Sequence, residues 1–439
     1  MSEVPYDEAP LRLFHLRLAI ASTGGVFSDG FGLGIIGISL SVAGPSLGLS
    51  SLWLGLIGGA SLAGLFLGAL LTGPFADRTG RRGVFASNMA VLGALSALQF
   101  LVQSGGELLA LRLAIGFVLG TDYVVSKALL TEFTPRRRRG AVLSLLSVAW
   151  AAGYASAYAV GGALAARGAD AWHFMLLSSA APCLAILPLR LTLPESPLWL
   201  VDHGREDEAR AVVRARLGRG IAIPERGLVD RGGAGRWRQL LSPAWRRHTL
   251  VGCVFFTCQV IPYFAVGTFV AQVIRAFGAD GTTAGGLVYN GALLVGAVLG
   301  VLTIDRMPRR RFLVGSFLLP GAALLVLVAL ASPGPITIVG LFALFAGVLS
   351  AASNLVYVYL PELFPTDLRA SGIGLAIACS RVGSAVGTFL LPIVVDAFGV
   401  RTALGLCALV LLVGAIVCQR LAPETRHAPL GRIAARPGT

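Results

Sequence analysis

The chain has 439 residues, of which 55% are hydrophobic and only 13% charged, with a mean hydropathy of +0.78. That balance excludes a soluble globular protein, because so much apolar surface needs a bilayer to cover it. The formal charge of +14 does not call for nucleic acid as a partner: a basic face against anionic lipid accounts for it.

From the N-terminus, Glu3, Asp7 and Glu8 precede a first apolar run that itself contains Asp29, so no cleavable signal peptide is expected and the first span stays in place. Apolar runs long enough to cross a membrane predict spans at 16–42, 52–72, 83–103, 108–131, 141–166 and 171–193. A second set follows at 248–275, 284–304, 312–331, 335–360, 370–395 and 400–421. The expected organisation is a six-helix bundle over 1–193, a cytoplasmic central loop over 194–247, a second six-helix bundle over 248–421 and a tail over 422–439. Within the loop, the charged stretch from Arg205 to Leu217 reads as a short surface helix, too small for a catalytic domain.

Three charged signatures occur twice, in the same order. Asp77-Arg78-x-x-Arg81-Arg82 recurs 228 positions on as Asp305-Arg306-x-x-Arg309-Arg310. Glu132-x-x-Pro135-x-x-x-Arg139 recurs at an offset of 230 as Glu362-x-x-Pro365-x-x-x-Arg369, and Pro194-Glu195-Ser196 at 229 as Pro423-Glu424-Thr425. Three matches in register indicate a duplicated half, and two facing helix bundles are how transporters are built. Orientation follows from the arginines: of 36 basic residues, 30 are assigned to the cytoplasmic side with both termini inside. Outside lie Arg167, Arg275 and Arg401, while Arg112, Lys127 and Arg381 fall within spans.

The loop Gly73-Pro-Phe-Ala-Asp77-Arg-Thr-Gly80-Arg-Arg82 resembles the signature loop between the second and third helices of the major facilitator superfamily. The run Pro-Glu-Ser-Pro-Leu-Trp-Leu at 194–200, with Pro423-Glu424-Thr425, is similar to its sugar-porter-related branch. Gly120-Thr-Asp122-Tyr123, Tyr359-Leu-Pro361-Glu362-Leu-Phe-Pro365 and Ser380-Arg381-Val-Gly383 resemble bacterial metabolite:proton symporters more than hexose carriers. The resemblance implies a monomeric twelve-helix carrier working by alternating access. It departs in helix seven, which reads Cys258-Gln259-Val-Ile-Pro262-Tyr263 in place of the hexose pattern. It departs again in helix one, where Asp29-Gly30-Phe31-Gly32 carries one of two expected acids.

The repeated loop charges are expected to form a cytoplasmic gate of charge-assisted hydrogen bonds between the bundles, through Asp77, Arg81, Glu132, Arg139, Glu195, Glu362, Arg369 and Glu424. Charges within the spans should line a wet cavity or be paired. Asp29 and Asp122 against Arg112, Lys127 and Arg381 leave one positive charge over, which an anionic substrate would neutralise. At about 100° per residue, Arg112 and Lys127 fall some 60° apart around helix four and can share a face. Lys127 lies about one turn from the end of that helix, so reaching the headgroups is an alternative for it. Asp29 with Arg112 is the expected proton-coupling couple, with Asp122 as the alternative carrier.

Polar groups at helical depth, Tyr154, Gln259, Tyr263, Asn290, Asn354 and Tyr357, together with Arg381 and Lys127, are the expected substrate contacts; Gln99 and Gln103 are further polar groups in helix three. Pro262 is expected to open the backbone beside Tyr263. Scattered histidines, six cysteines without metal-type spacing and the lack of a nucleotide loop argue against an enzyme, a metal site, a cofactor or ATP coupling. The reading is a secondary transporter of the cytoplasmic membrane, moving a small metabolite, an organic anion first, with protons. Its alternatives are a neutral sugar or polyol carrier, a small-molecule exporter or uniporter, and a receptor on the same scaffold.

Overall fold

The computed structural model describes residues 4–225, 236–277, 282–304, 306–364 and 366–425. Asp305 and Pro365 of the repeated signatures, residues 226–235 of the central loop and the tail past Thr425 lie outside them. Twelve helices among the described residues are long and apolar enough to cross a membrane. In the first half they are α1 (Leu13–Ser46), α2 (Ser51–Thr79), α3 (Arg81–Leu101), α4 (Gly105–Phe133), α5 (Val142–Ala165) and α6 (Ala171–Leu191). The second half contributes α7 (Arg246–Thr268), α8 (Ala284–Thr303), α9 (Arg309–Ala329), α10 (Pro335–Ala352), α11 (Ser371–Phe398) and α12 (Val400–Leu421).

Local chemistry sets several of the ends. Ser104 accepts from the Glu107 backbone N–H while the Glu107 carboxylate accepts from the Gln103 N–H at 2.9 Å, a reciprocal cap on α4. Gly80, at φ +96°, lets α2 stop and α3 start on the next residue, a conformation that a side chain would strain.

The duplication reappears as one pairing scheme used twice. In the first half α1 packs on α5, α2 on α4 and α3 on α6; in the second α7 packs on α11, α8 on α10 and α9 on α12. Glycines allow the closest of these crossings. A β-carbon on Gly64, Gly68 or Gly116 would run into a carbonyl of the facing helix in α2·α4, as would one on Gly296 or Gly300 in α8·α10. The halves meet along α2·α11 and α5·α8, contacts that exchange with each other under the same repeat.

Three predicted spans break in the structure, the sixth at a one-residue turn, Ser179, between Ala171–Ser178 and Ala180–Leu191. The tenth ends at Ala352, and a separate helix, Leu355–Leu363, follows a turn at Ser353 and Asn354. There Ser353 and Asn354 side chains donate back to the carbonyls of Leu349 and Ala351, competing with the helical ladder. The seventh span runs unbroken through Pro262 and turns instead at Phe269, before Val270–Ala276. The expected opening at Pro262 is therefore corrected.

Candidate functional site

Between the halves lies a cavity of about 90 Å³. Asp29 and Leu33 reach it from α1, Tyr123 and Lys127 from α4, Ser147 and Trp150 from α5, Tyr263 and Phe264 from α7 and Arg381 from α11, with Tyr357 beyond the α10 break. Its walls are aromatic: the Trp150 ring stands 6.0 Å from Tyr263 and 5.9 Å from Phe264.

Two cations sit on those walls. Lys127 Nζ lies 3.3 Å above the Tyr123 ring and 4.7 Å from that of Tyr357. From the other half, the Arg381 guanidinium lies 5.5 Å from the same Tyr123 ring and 5.6 Å from Phe256. Ring faces stabilise a cation but leave its charge uncancelled. Lys127 thus points into the cavity, not out to the headgroups. Each cation belongs to a different half, so an anion between them would bridge the two.

Four expected substrate contacts line this cavity (Lys127, Tyr263, Tyr357, Arg381). Of the other four, three tie helices together and Asn290 bonds within its own helix. Gln259 donates to the Leu349 carbonyl at 3.0 Å, pinning α7 to α10. Asn354 donates to the Ala297 carbonyl in α8 at 3.1 Å and accepts from Ser147 in α5 at 2.9 Å, so the α10 break is stitched across both halves. Asn290 turns back to the Gly286 carbonyl of its own helix. Tyr154 stacks on Trp150, its backbone abuts Gly34 of α1 and its hydroxyl lies toward Gly267 of α7. Trp150 and Tyr123 are site residues without a sequence signal: an aromatic in an apolar run is ordinary until Tyr123 is seen under two cations and Trp150 against the rings of Tyr263 and Phe264.

Arg190 is the larger omission, having been counted among the cytoplasmic arginines. Its side chain is 0% exposed and forms an ion pair with Asp122, also 0% exposed, with Nη2 donating at 3.0 Å. It donates further to the carbonyls of Ala21 and Phe85 and to Ser126, and covers the Phe85 ring at 3.9 Å. The available signal was Asp122 itself, a buried acid that required a partner. With Arg190 included, Asp29 and Asp122 face Arg112, Lys127, Arg190 and Arg381 away from the helix ends that carry the loop signatures.

Asp29 and Arg112 are not paired with each other. Asp29 lines the cavity, 4% exposed, with Oδ1 unpartnered and with Asp122, Arg190 and Lys127 as the charged groups acting on it. Arg112 lies instead against the Gly32 carbonyl at 2.9 Å and Gln99 Oε1 at 3.5 Å. Angular agreement around α4 misled because 15 residues also separate Arg112 from Lys127 by about 22 Å along the axis.

The loop signatures form two clusters, one in each half, where a latch between bundles was expected. Arg81 pairs with Glu132, and with Asp77 at 3.5 Å; Arg309 pairs with Glu362 at 3.6 Å. Glu195 accepts from the backbone N–H groups of Arg81 and Arg82 at 3.0 and 3.1 Å, and Glu424 from those of Arg309 and Arg310 at 2.9 and 3.1 Å. Each carboxylate thereby caps a helix N-terminus, α3 or α9, where backbone donors lack partners. Arg139 donates to the Thr134 carbonyl and Arg369 to that of Pro361, closing the chain reversals after Glu132 and Glu362. At the opposite end the halves touch directly: a β-carbon on Gly37 would strike the Thr268 carbonyl, one on Gly55 that of Phe389, and Ser51 donates to Asp396 at 2.9 Å.

The profile of the family described as "Sugar (and other) transporter" matches residues 19–436. The chain is 40% identical over 429 residues to the inner membrane metabolite transport protein YgcS of Escherichia coli (strain K12), covering 98% of this chain and 96% of that protein. It is 35% identical to the putative metabolite transport protein YaaU of the same strain, covering 97% and 96%. Among solved structures, the partially occluded inward open xylose transporter XylE from E. coli superposes with a TM-score of 0.80 at 18% identity, covering 95% of this chain and 100% of that one, a likeness of fold.

Proposed function

The chain belongs to the sugar (and other) transporter family within the major facilitator superfamily, a family of membrane carriers and not of enzymes, and on that premise we propose that its cargo is a small organic anion moved with protons. One observation carries the proposal: Lys127 and Arg381 enter the same aromatic-walled cavity from opposite halves, each against ring faces. A carboxylate between them would receive charge-assisted hydrogen bonds from both halves and relieve their mutual repulsion, so occupancy and closure are favoured together. Asp29 then serves as the proton carrier, because it meets the cavity while Asp122 is held by Arg190. The protein works as a monomer of the cytoplasmic membrane, with both termini inside. The clusters at Glu195 and Glu424 keep each half rigid while the glycine contacts near Gly55 open and close.

A neutral sugar or polyol is the second reading, favoured by the family's description and by the likeness to a xylose transporter. Thermal stabilisation of the purified protein by panels of small carboxylates and neutral polyols separates the two. Carboxylate stabilisation that disappears in Arg381→Ala and Lys127→Ala is expected. Stabilisation by polyols alone refutes the anion reading.

A further inference from the structure

Arg112 is 0% exposed, and no carboxylate pairs with it among the described residues. A guanidinium offers five N–H donors. Here Nη2 meets the Gly32 carbonyl, Nη1 reaches Gln99 Oε1 only at the limit of a hydrogen bond, and Nε has no partner. The acceptors that do approach are neutral dipoles, so the charge stays uncompensated in a site with little access to water. Buried charges are ordinarily paired, because desolvation without a counter-ion is so costly.

Next to this cation the packing leaves room. Gly32 is buried, yet apart from its own helix backbone and its chain neighbours no heavy atom lies within 4 Å of where its β-carbon would stand. Its neighbours on α1 contrast sharply: a β-carbon on Gly30 or Gly34 would run into the backbone of α5. Gly32 therefore leaves a gap more than 4 Å from any side chain beyond its chain neighbours, while its own carbonyl holds the Arg112 guanidinium, and close helix contact explains the other two glycines.

We propose that Arg112 and the gap at Gly32 form a binding site for one small monovalent anion, a halide in class, acting as a fixed counter-ion at the α1·α4 junction. The Gly32 carbonyl orients the guanidinium, and the gap admits an ion that has no room beside Gly30 or Gly34. The site is separate from the Lys127 and Arg381 cavity and does not depend on what the carrier moves.

The test is thermal unfolding of the purified protein, without substrate, in sodium chloride against sodium methanesulfonate, a bulkier monovalent anion that is neither carboxylate nor polyol, at matched ionic strength of about 150 mM. Chloride is expected to raise Tm by about 1.5 °C over methanesulfonate, the shift for a chain of this length with free chloride near ten times Kd. Arg112→Gln should abolish the difference by removing the charge. Gly32→Asp should abolish it by supplying a covalent carboxylate in the gap. Equal Tm in the two salts for the unsubstituted protein overturns the proposal, as does a chloride effect that survives Arg112→Gln. If either variant fails to fold, anomalous scattering from crystals grown in bromide decides: a peak beside Gly32 supports the site and its absence overturns it.

Discussion

Arg190→Leu should be among the most damaging single substitutions in the chain. It removes the partner of Asp122 at a place where both side chains are 0% exposed, and with it the donor to the carbonyls of Ala21 and Phe85 and to the Ser126 hydroxyl. Breaking a buried ion pair from one side costs about 3–5 kcal/mol, chiefly through the charge left behind. At roughly 1 °C per kcal/mol for a chain of this length, that is a fall in Tm of about 3–5 °C. Removing both charges, as in Asp122→Asn with Arg190→Leu, should recover most of the loss, because neither partner is then stranded. Gly25→Ala should reproduce the damage without touching either charge, since its β-carbon would land on the Arg190 guanidinium. The assay is thermal unfolding of purified protein for the four members of the cycle. Arg190→Leu within about 2 °C of the parent, or a double variant as unstable as the single, refutes the pairing as the source of stability.

Asp29→Asn should abolish accumulation driven by a pH gradient in vesicles yet spare substrate exchange, because exchange needs no net proton movement; intact pH-driven uptake excludes Asp29 as the carrier. Glu195→Gln and Glu424→Gln should each cost about 0.5–2 kcal/mol as lost helix caps, and their sum should match the double variant because the caps sit in different halves; strong non-additivity in unfolding would show that the clusters are coupled. Gly55→Leu should force α2 away from the Phe389 carbonyl of α11 and raise labelling of cysteines introduced at that end; unchanged labelling would mean that this contact does not seal it.

The duplicated signatures, the apolar run lengths and the basic loops sufficed to read twelve helices in two related sets, because bilayer thickness and charge cost act on each segment separately. Cavity cations were legible for a similar reason: Lys127 and Arg381 are conspicuous anywhere within a span. Partner choice was not. That Asp122 takes Arg190, that Arg112 faces Gly32, and that Glu195 and Glu424 brace their own halves depends on which helix faces are brought together, and a sequence period fixes a face without fixing its neighbour. The same holds for Tyr123, whose ring acquires meaning only when cations from another turn and another half are packed against it, and for Trp150, whose ring does so only against Tyr263 and Phe264 of the other half. Membership of the bilayer was thus a property of composition, whereas the compensation of each buried charge was settled by tertiary packing, since an ion pair needs contact within a few ångströms and only the folded bundles supply it.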